Sequence, residues 1–137
     1  MTLLNYGYPL VIISVVKWNN SDYIFNCIRA VQASKYPNSQ IIVFENNSHD
    51  DTVEIVRALK SYTRIIKDDI IIGLAAAPNY NISLQEADYL VLNPDVILSN
   101  YYISKAIEIM DNKPDVGALS GSVLRDNDEN IIDCSQV

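Results

Sequence analysis

The sequence contains little cysteine, glycine, histidine or positive charge. Its 137 residues include two cysteines, four glycines and one histidine, and 10 lysines and arginines stand against 17 aspartates and glutamates, for a net charge of −7. The two cysteines, Cys27 and Cys134, give no disulfide framework or metal knuckle and favour a reducing compartment. The acidic balance argues against binding to nucleic acid or broadly to an anionic membrane, because both need a basic surface.

Several motifs of nucleotide-binding and nucleophilic proteins are also missing. No G-x-G-x-x-G follows the first apolar run and no G-K-[ST] occurs, so neither a dinucleotide fingerprint nor a phosphate-binding P-loop is predicted. His49 lies beside a predicted helix N-terminus, where a solvated side chain is more common than a general base. The apolar run 10–16 is too short to span a bilayer, and no positively charged segment precedes it to form a signal peptide. We expect a cytoplasmic protein, free or peripheral to the inner face of a membrane, with no transmembrane segment.

Apolar runs and helical patterns alternate along the chain. Five strands are predicted, over residues 10–16, 40–44, 64–67, 89–92 and 115–119. Four helical regions are predicted between them, over residues 21–36, 48–59, 99–110 and, after an initial loop, within 73–86. Strands that are apolar on both faces and alternate with helices indicate an α/β fold, a mostly parallel sheet with helices on both faces, in a single domain.

Polar residues follow three of the predicted strands. Right-handed crossovers place the turns at 17–20, 45–48 and 93–95 along one edge of the sheet, where ligands of open α/β sheets bind. Asp95, behind the stiff Pro94, offers a carboxylate that suits Mg²⁺ or Mn²⁺ bridging to phosphates. Asn-Pro-Asp is also an ordinary turn sequence, so this segment alone leaves both interpretations open. A phospho-receiver domain would need acidic residues after the first strand, and 17–20 contains none.

Five segments resemble, in order, the motifs of one enzyme family. They are VVKWN at 15–19, QASKYP at 32–37, IVFENNSHDDT at 42–52, GLAAAPN at 73–79 and LNPD at 92–95. These segments are similar to the V-N-Y-N turn, the Q-x-x-Y-P helix end, the V-V-D-N-x-S-x-D-x-T element, the N-x-G-F-A-x-G-x-N loop and the L-N-P-D form of the D-x-D metal motif in family 2 glycosyltransferases with the GT-A fold. The resemblance extends over residues 10–124 and is to rhamnosyltransferase-like members.

The resemblance implies a Rossmann-like, nucleotide-sugar-binding half of a GT-A domain, truncated before the acceptor-binding half. It implies metal-dependent, inverting transfer from a nucleoside-diphosphate sugar to a saccharide or related acceptor, in polysaccharide biosynthesis. Asp95 is implied as the ligand of Mg²⁺ or Mn²⁺. Seven residues are implied to contact the nucleotide: Val16, Trp18, Glu45, Asn46, Gly73, Asn79 and Asn93. For Trp18 a packing role, and for Glu45 a role in accepting loop N–H groups, remain alternatives.

The sequence departs from the family pattern at three positions and lacks a clear base. Glu45 replaces the usual Asp, Ile71 replaces a polar Asn, and Pro78 interrupts the glycine loop. An inverting transferase needs a carboxylate to deprotonate the acceptor hydroxyl. We assign no catalytic base, because the tail carboxylates are expected in a solvated, hairpin-like turn: Asp126, Asp128 and Glu129. The alternative hypothesis is a non-catalytic nucleotide-sugar-binding or interaction module without the acceptor half.

Overall fold

The computed structural model describes residues 7–17, 21–46, 63–68, 73–84, 86–125 and 128–132. The strands within these ranges are β1 (Val11–Lys17), β2 (Ser39–Asn46), β3 (Thr63–Asp68), β4 (Asp88–Leu92), β5 (Leu124–Arg125) and β6 (Asp128–Ile132). The helices are α1 (Ser21–Gln32), α2 (Gly73–Leu84) and α3 (Tyr102–Asn112). Contacts divide the chain into two units, Met1–Ile103 and Ser104–Val137. The predicted helix over 48–59 lies outside the described residues.

Four parallel strands in the order β3-β2-β1-β4 form the sheet of the first unit. The central strand β1 is apolar on both faces, and every residue from Val11 to Val16 is buried. Such a strand can be stable only between two covered faces, which explains its nearly continuous run of β-branched residues. The predicted fold class, α/β with a mostly parallel sheet, is confirmed.

The strand order reverses between β1 and β4. The chain moves outward from β1 through β2 to β3 and then returns to place β4 on the other side of β1. Right-handed crossovers therefore put α1, between β1 and β2, and α2, between β3 and β4, on opposite faces. The crevice outside the carboxyl ends of β1 and β4 is the topological switch point at which open α/β sheets bind ligands.

Helix α1 packs on the sheet through one apolar stripe. Its buried side chains are spaced i, i+3, i+4 and i+7 along the helix: Ile24, Cys27, Ile28 and Val31. Helical spacing in the sequence predicts Ile24, Ile28 and Val31 as inner positions, and the structure confirms these three and adds Cys27. Ser34 N–H donates to the Val31 carbonyl at 3.0 Å just after the helix, and the following Tyr36-Pro37 prevents its continuation.

Helix α2 packs on the other face, where three register partners share one row. Val16 and Phe44 form a buried cluster against which Ile66 packs, and the Tyr80 ring meets Phe44 edge-to-face at 6.4 Å. The expected loop at the start of residues 73–86 is wrong, because the helix begins at Gly73 itself. It continues through Pro78, which removes one helical N–H but is buried.

The carboxyl-terminal unit contains a β-hairpin rather than the strand predicted at 115–119. Gly117 and Ala118 are exposed, and Val116 N–H donates to the Lys113 carbonyl in a turn at 2.9 Å. A strand needs a partner, and the pairing here is instead antiparallel between β5 and β6. The hairpin expected in the tail is confirmed, but Asp128 and Glu129 lie in strand β6 and not in its turn. Asp126 lies outside the described residues.

The predicted helix over 99–110 is confirmed with shifted ends, because residues 99–101 form the turn before α3. Tyr102 N–H donates to the Ser99 carbonyl at 3.1 Å in that turn. Helical spacing predicts five inner positions, of which one is buried, Ile103, and four are half-buried: Tyr102, Ala106, Ile107 and Met110. No described helix is both long and apolar enough to cross a bilayer. The cytoplasmic location stays a prediction.

Candidate functional site

The carboxyl ends of β1, β2 and β4 lie side by side at one edge of the sheet. Lys17, the last residue of β1, is in register with Glu45, and β2 ends one residue later at Asn46. Leu92, the last residue of β4, is in register with Val15, two residues before the end of β1. The residues that follow Leu92 therefore lie beside the last residues of β1.

The segment after β4 is a β-turn that presents a carboxylate. Val96 N–H donates to the Asn93 carbonyl at 3.2 Å, which closes a four-residue turn with Pro94 in its second position. Pro94 is buried, whereas Asn93 and Asp95 are exposed. The two interpretations of Asn-Pro-Asp are thus compatible, because a turn fixed by a proline with a preset φ displays Asp95 outside the core.

The turn also contacts helix α1. The Cys27 thiol donates to the Asn93 carbonyl, with 3.7 Å between Sγ and oxygen. Burial, and secondly the negative charge of Asp95, raises the pKa of the Cys27 thiol from 9.0 to about 11. At neutral pH the thiol is therefore protonated, a weak donor and a poor nucleophile.

Sequence analysis missed Cys27 as part of this region. The available signal was its position on the apolar face of α1, three residues after Ile24. That signal predicts burial only. The contact with residue 93 crosses 66 residues of sequence and is made to a backbone carbonyl, which every residue type has. No side-chain pattern could have indicated it.

The other predicted nucleotide-binding residues occupy different positions relative to the edge. Val16 is only 6% exposed and packs in the core, so its backbone is the part that a ligand could meet. Glu45 and Asn46 are the last two residues of β2, at the same edge as Asn93 and Asp95. Trp18 lies outside the described residues.

The two predicted nucleotide-binding residues on α2 lie at different positions along the helix. Gly73 is the first residue of α2, where the chain enters from the carboxyl end of β3. Asn79 is exposed and adjacent to Tyr80, whose ring meets Phe44, two residues before the end of β2. The fold thus brings Gly73 nearer to the edge than Asn79. The binding roles of all these residues stay predictions.

The described residues fit a metal held by one protein carboxylate rather than by a cage. Among them, no group of three or more histidine, cysteine, aspartate or glutamate side chains could hold an ion. Mg²⁺ commonly binds through one or two carboxylates, with phosphates and water completing its shell. The exposed carboxylate of Asp95 matches that arrangement, since phosphates of a ligand at the edge could supply further oxygens.

Two sequence relatives are, by name, a synthase and a glucosyltransferase. The chain is 29% identical over 111 residues to poly-beta-1,6-N-acetyl-D-glucosamine synthase from Staphylococcus aureus (strain MSSA476), over 77% of this chain and 26% of the relative. It is 28% identical over 106 residues to UDP-Glc:alpha-D-GlcNAc-diphosphoundecaprenol beta-1,3-glucosyltransferase WfaP from Escherichia coli, over 76% of this chain and 42% of the relative. The chain therefore spans well under half the length of these curated relatives.

Solved structures show the same fold. The mannosyltransferase PcManGT from Pyrobaculum calidifontis, in complex with GDP-Man and Mn²⁺, superposes with a TM-score of 0.77 at 21% identity, over 90% of this chain and 38% of that one. TarS 1-349 from S. aureus, in complex with UDP-GlcNAc, superposes with a TM-score of 0.69 at 16% identity, over 75% and 31%. The family model for glycosyl transferase family 2 matches residues 11–133. With its motifs, its parallel sheet and this match over most of its length, the chain belongs to glycosyl transferase family 2.

Proposed function

We propose that this chain forms the nucleotide-sugar-binding part of an inverting, metal-dependent glycosyltransferase of the hexosyl- or rhamnosyltransferase type. The donor is a nucleoside-diphosphate sugar and the acceptor is a saccharide or a related molecule, in polysaccharide synthesis. One observation carries this proposal: the proline-fixed turn after β4 holds the exposed carboxylate of Asp95 beside the end of β1, at the switch point of the sheet.

The comparisons support the type of substrate. The names of the two sequence relatives describe a synthase of an N-acetylglucosamine polymer and a glucosyltransferase that uses UDP-Glc. The two solved neighbours hold GDP-Man with Mn²⁺ in one case and UDP-GlcNAc in the other. A nucleoside-diphosphate hexose is named for three of these four proteins, with bases that differ, and a divalent metal is named for one of them.

The spacing of the strands suits a nucleotide that lies across the edge. Neighbouring strands are about 4.8 Å apart, so the ends of β2 and β4, which flank β1, are separated by about 10 Å. A nucleoside bound at Glu45 and Asn46 could therefore extend its diphosphate over the end of β1 to Asp95. Trp18, just after β1, would stack on the base in this arrangement.

The carboxylate of Asp95 would hold Mg²⁺ or Mn²⁺ against the diphosphate. A bound divalent ion neutralises the charge that develops on the leaving diphosphate as the sugar departs. Asn93, exposed on the same turn, could bind a phosphate or sugar oxygen through its amide. The backbone at Val16 and the start of α2 at Gly73 would contribute N–H groups at the same edge. Asn79, exposed on α2, would contact the part of the nucleotide that lies toward that helix.

A thermal-shift panel of UDP-, GDP- and dTDP-sugars, each with Mn²⁺ and with a chelator, tests the proposal. One class of donor should raise the melting temperature more with Mn²⁺, since a ligand at about 100 times its Kd adds about 2.7 kcal/mol. Stabilisation that is equal with metal and with chelator would contradict metal dependence.

A further inference from the structure

The backbone carbonyl of Asn93 accepts two hydrogen bonds from different parts of the chain. Val96 N–H donates to it at 3.2 Å and closes the turn that contains Asp95. The Cys27 thiol, on α1, donates to the same oxygen at 3.7 Å. A carbonyl oxygen has two lone pairs, so it can accept both hydrogen bonds at once. The second bond links the turn to a helix that is 66 residues away in sequence.

The donor side of this link is held in the core. Cys27 is 0% exposed and lies in the buried stripe of α1, next to Ile28 and one turn from Ile24. The acceptor side is less constrained, because Asn93 and Asp95 are exposed and only Pro94 between them is buried. The helix therefore provides a fixed point for a turn that otherwise projects beyond the sheet.

The thiol keeps its proton under ordinary conditions. Burial, with the negative charge of Asp95 as the second cause, raises the pKa of Cys27 to about 11. A protonated thiol can donate to a carbonyl, whereas a thiolate beside that oxygen would repel it. The same protonation makes Cys27 unsuited to act as a nucleophile or as a ligand of a soft metal.

We propose that Cys27 is a positioning residue, which holds the Asn93–Val96 turn against α1 and thereby fixes where Asp95 presents its carboxylate to a divalent metal. This inference rests on the proposed metal-binding role of Asp95. A metal ligand binds more tightly when its own position is restricted before the metal arrives. A thiol is a weak donor, so its loss should weaken metal-dependent binding by about three- to tenfold, within the range for one neutral hydrogen bond.

The test compares two substitutions of nearly equal size. Cys27→Ser keeps a donor at this position and Cys27→Ala removes it, while both remove the sulfur. Val31→Ala is the matched control, since Val31 is buried on the same stripe one helical turn farther from the edge. The Kd of UDP, and in parallel of GDP, is measured by calorimetry with excess Mn²⁺ and again with EDTA. For each nucleotide, the Kd with EDTA divided by the Kd with Mn²⁺ gives the metal-dependent part of binding.

We expect Cys27→Ala to reduce this ratio about three- to tenfold, and Cys27→Ser and Val31→Ala to stay within about twofold of the wild type. A second readout needs no ligand: the Val96 amide, which donates within the turn, should exchange its hydrogen faster in Cys27→Ala only. If Cys27→Ala does not fold, Cys27→Val removes the donor without leaving a cavity and replaces it.

Three results would overturn the inference. The first is an unchanged ratio in Cys27→Ala together with unchanged exchange at Val96. The second is equal loss in Cys27→Ser and Cys27→Ala, because the hydrogen bond would then not be the cause. The third is a wild-type protein that binds both UDP and GDP equally well with Mn²⁺ and with EDTA, which would overturn the proposed metal dependence as well. Hydrogen exchange at the Val96 amide distinguishes the two failures. Faster exchange in Cys27→Ala would show that the link to α1 exists even if the metal dependence does not.

Discussion

The two ends of the parallel sheet are built differently. At the amino end, the Tyr36 hydroxyl donates to the Pro9 carbonyl at 2.6 Å and the Asn38 amide donates to the Tyr8 carbonyl at 2.8 Å. The rings of Tyr8 and Tyr36 also meet edge-to-face at 5.7 Å. At the carboxyl end, Asn93 and Asp95 are exposed, and the described link to a helix is a thiol hydrogen bond of 3.7 Å.

This difference indicates that the two ends of the sheet have different roles. Polar side chains at the amino end satisfy backbone carbonyls, so they contribute to stability. Exposed polar side chains of the turn at the carboxyl end remain available to a ligand. Substitutions at the amino end should therefore change the free energy of unfolding without changing ligand affinity. Substitutions of the exposed side chains at the carboxyl end should change ligand affinity without changing the free energy of unfolding.

The largest expected effect is at the amino end. Tyr36→Ala removes a ring that is buried to 5% exposure together with its hydrogen bond, and should lower the free energy of unfolding by about 3–5 kcal/mol. Denaturant unfolding measures the loss. The matched variant Tyr36→Phe removes only the hydroxyl and should lose about 0.5–1.5 kcal/mol. A changed nucleotide Kd in Tyr36→Phe would contradict the proposal that the amino end of the sheet does not affect ligand affinity.

A pH titration sharpens the comparison at Cys27. Its pKa is raised in the folded protein from 9.0 to about 11, so the unfolded chain binds fewer protons between these values and stability falls as pH rises through them. Two pKa units correspond to a maximum of about 2.7 kcal/mol. Between pH 8 and pH 11, the free energy of unfolding should fall further in the wild type than in Cys27→Ser, by an amount of this order. Parallel pH profiles would contradict the burial of a protonated thiol.

The next effect concerns Trp18, at the proposed base-binding end of the site. Trp18→Ala should weaken nucleotide binding by about 1–3 kcal/mol if the ring stacks on the base. Calorimetry with the donor selected from the panel measures the change, and thermal unfolding of the same variant serves as its control. A loss of several kcal/mol of stability with unchanged Kd would identify Trp18 as a core residue instead.

The smallest expected effect is at the turn itself. Pro94→Ala keeps the turn but gives its backbone more freedom in the unfolded chain, which should lower the free energy of unfolding by about 0.4–1 kcal/mol. Metal-dependent nucleotide binding should weaken by a similar small amount, because the position of Asp95 becomes less restricted. Pro37→Ala, at the opposite end of the sheet and exposed, is the control and should leave the Kd unchanged.

The sequence predicted the parts of the fold that depend on burial on two faces. Strands β1 and β2 appear in the sequence as apolar runs because strands of a parallel sheet are covered on both faces. The inner positions of α1 followed from helical spacing, and the placement of Asp95 followed from the proline and the strand that precede it. These features are local, so a local pattern was sufficient to predict them.

The features that sequence analysis missed depend on partners distant in sequence. The short apolar run at 115–119 has the composition of a strand, but pairing is made between β5 and β6 instead. The helical start of α2 at Gly73 was expected to be a loop, because glycine and the internal Pro78 both disfavour helices. The roles predicted for the nucleotide-binding residues and for Asp95 stay predictions.

The most direct test of the account compares two aspartates of one strand segment. Asp95 follows the carboxyl end of β4 and Asp88 begins its amino end, so Asp95→Asn and Asp88→Asn remove the same charge from opposite ends of the sheet. The measurement is the Mn²⁺-dependent rise in melting temperature with the donor selected from the panel. We expect Asp95→Asn to abolish this rise with the unliganded melting temperature nearly unchanged, and Asp88→Asn to retain it. Equal Mn²⁺-dependent stabilisation of the wild type and Asp95→Asn would contradict the assignment of the metal site.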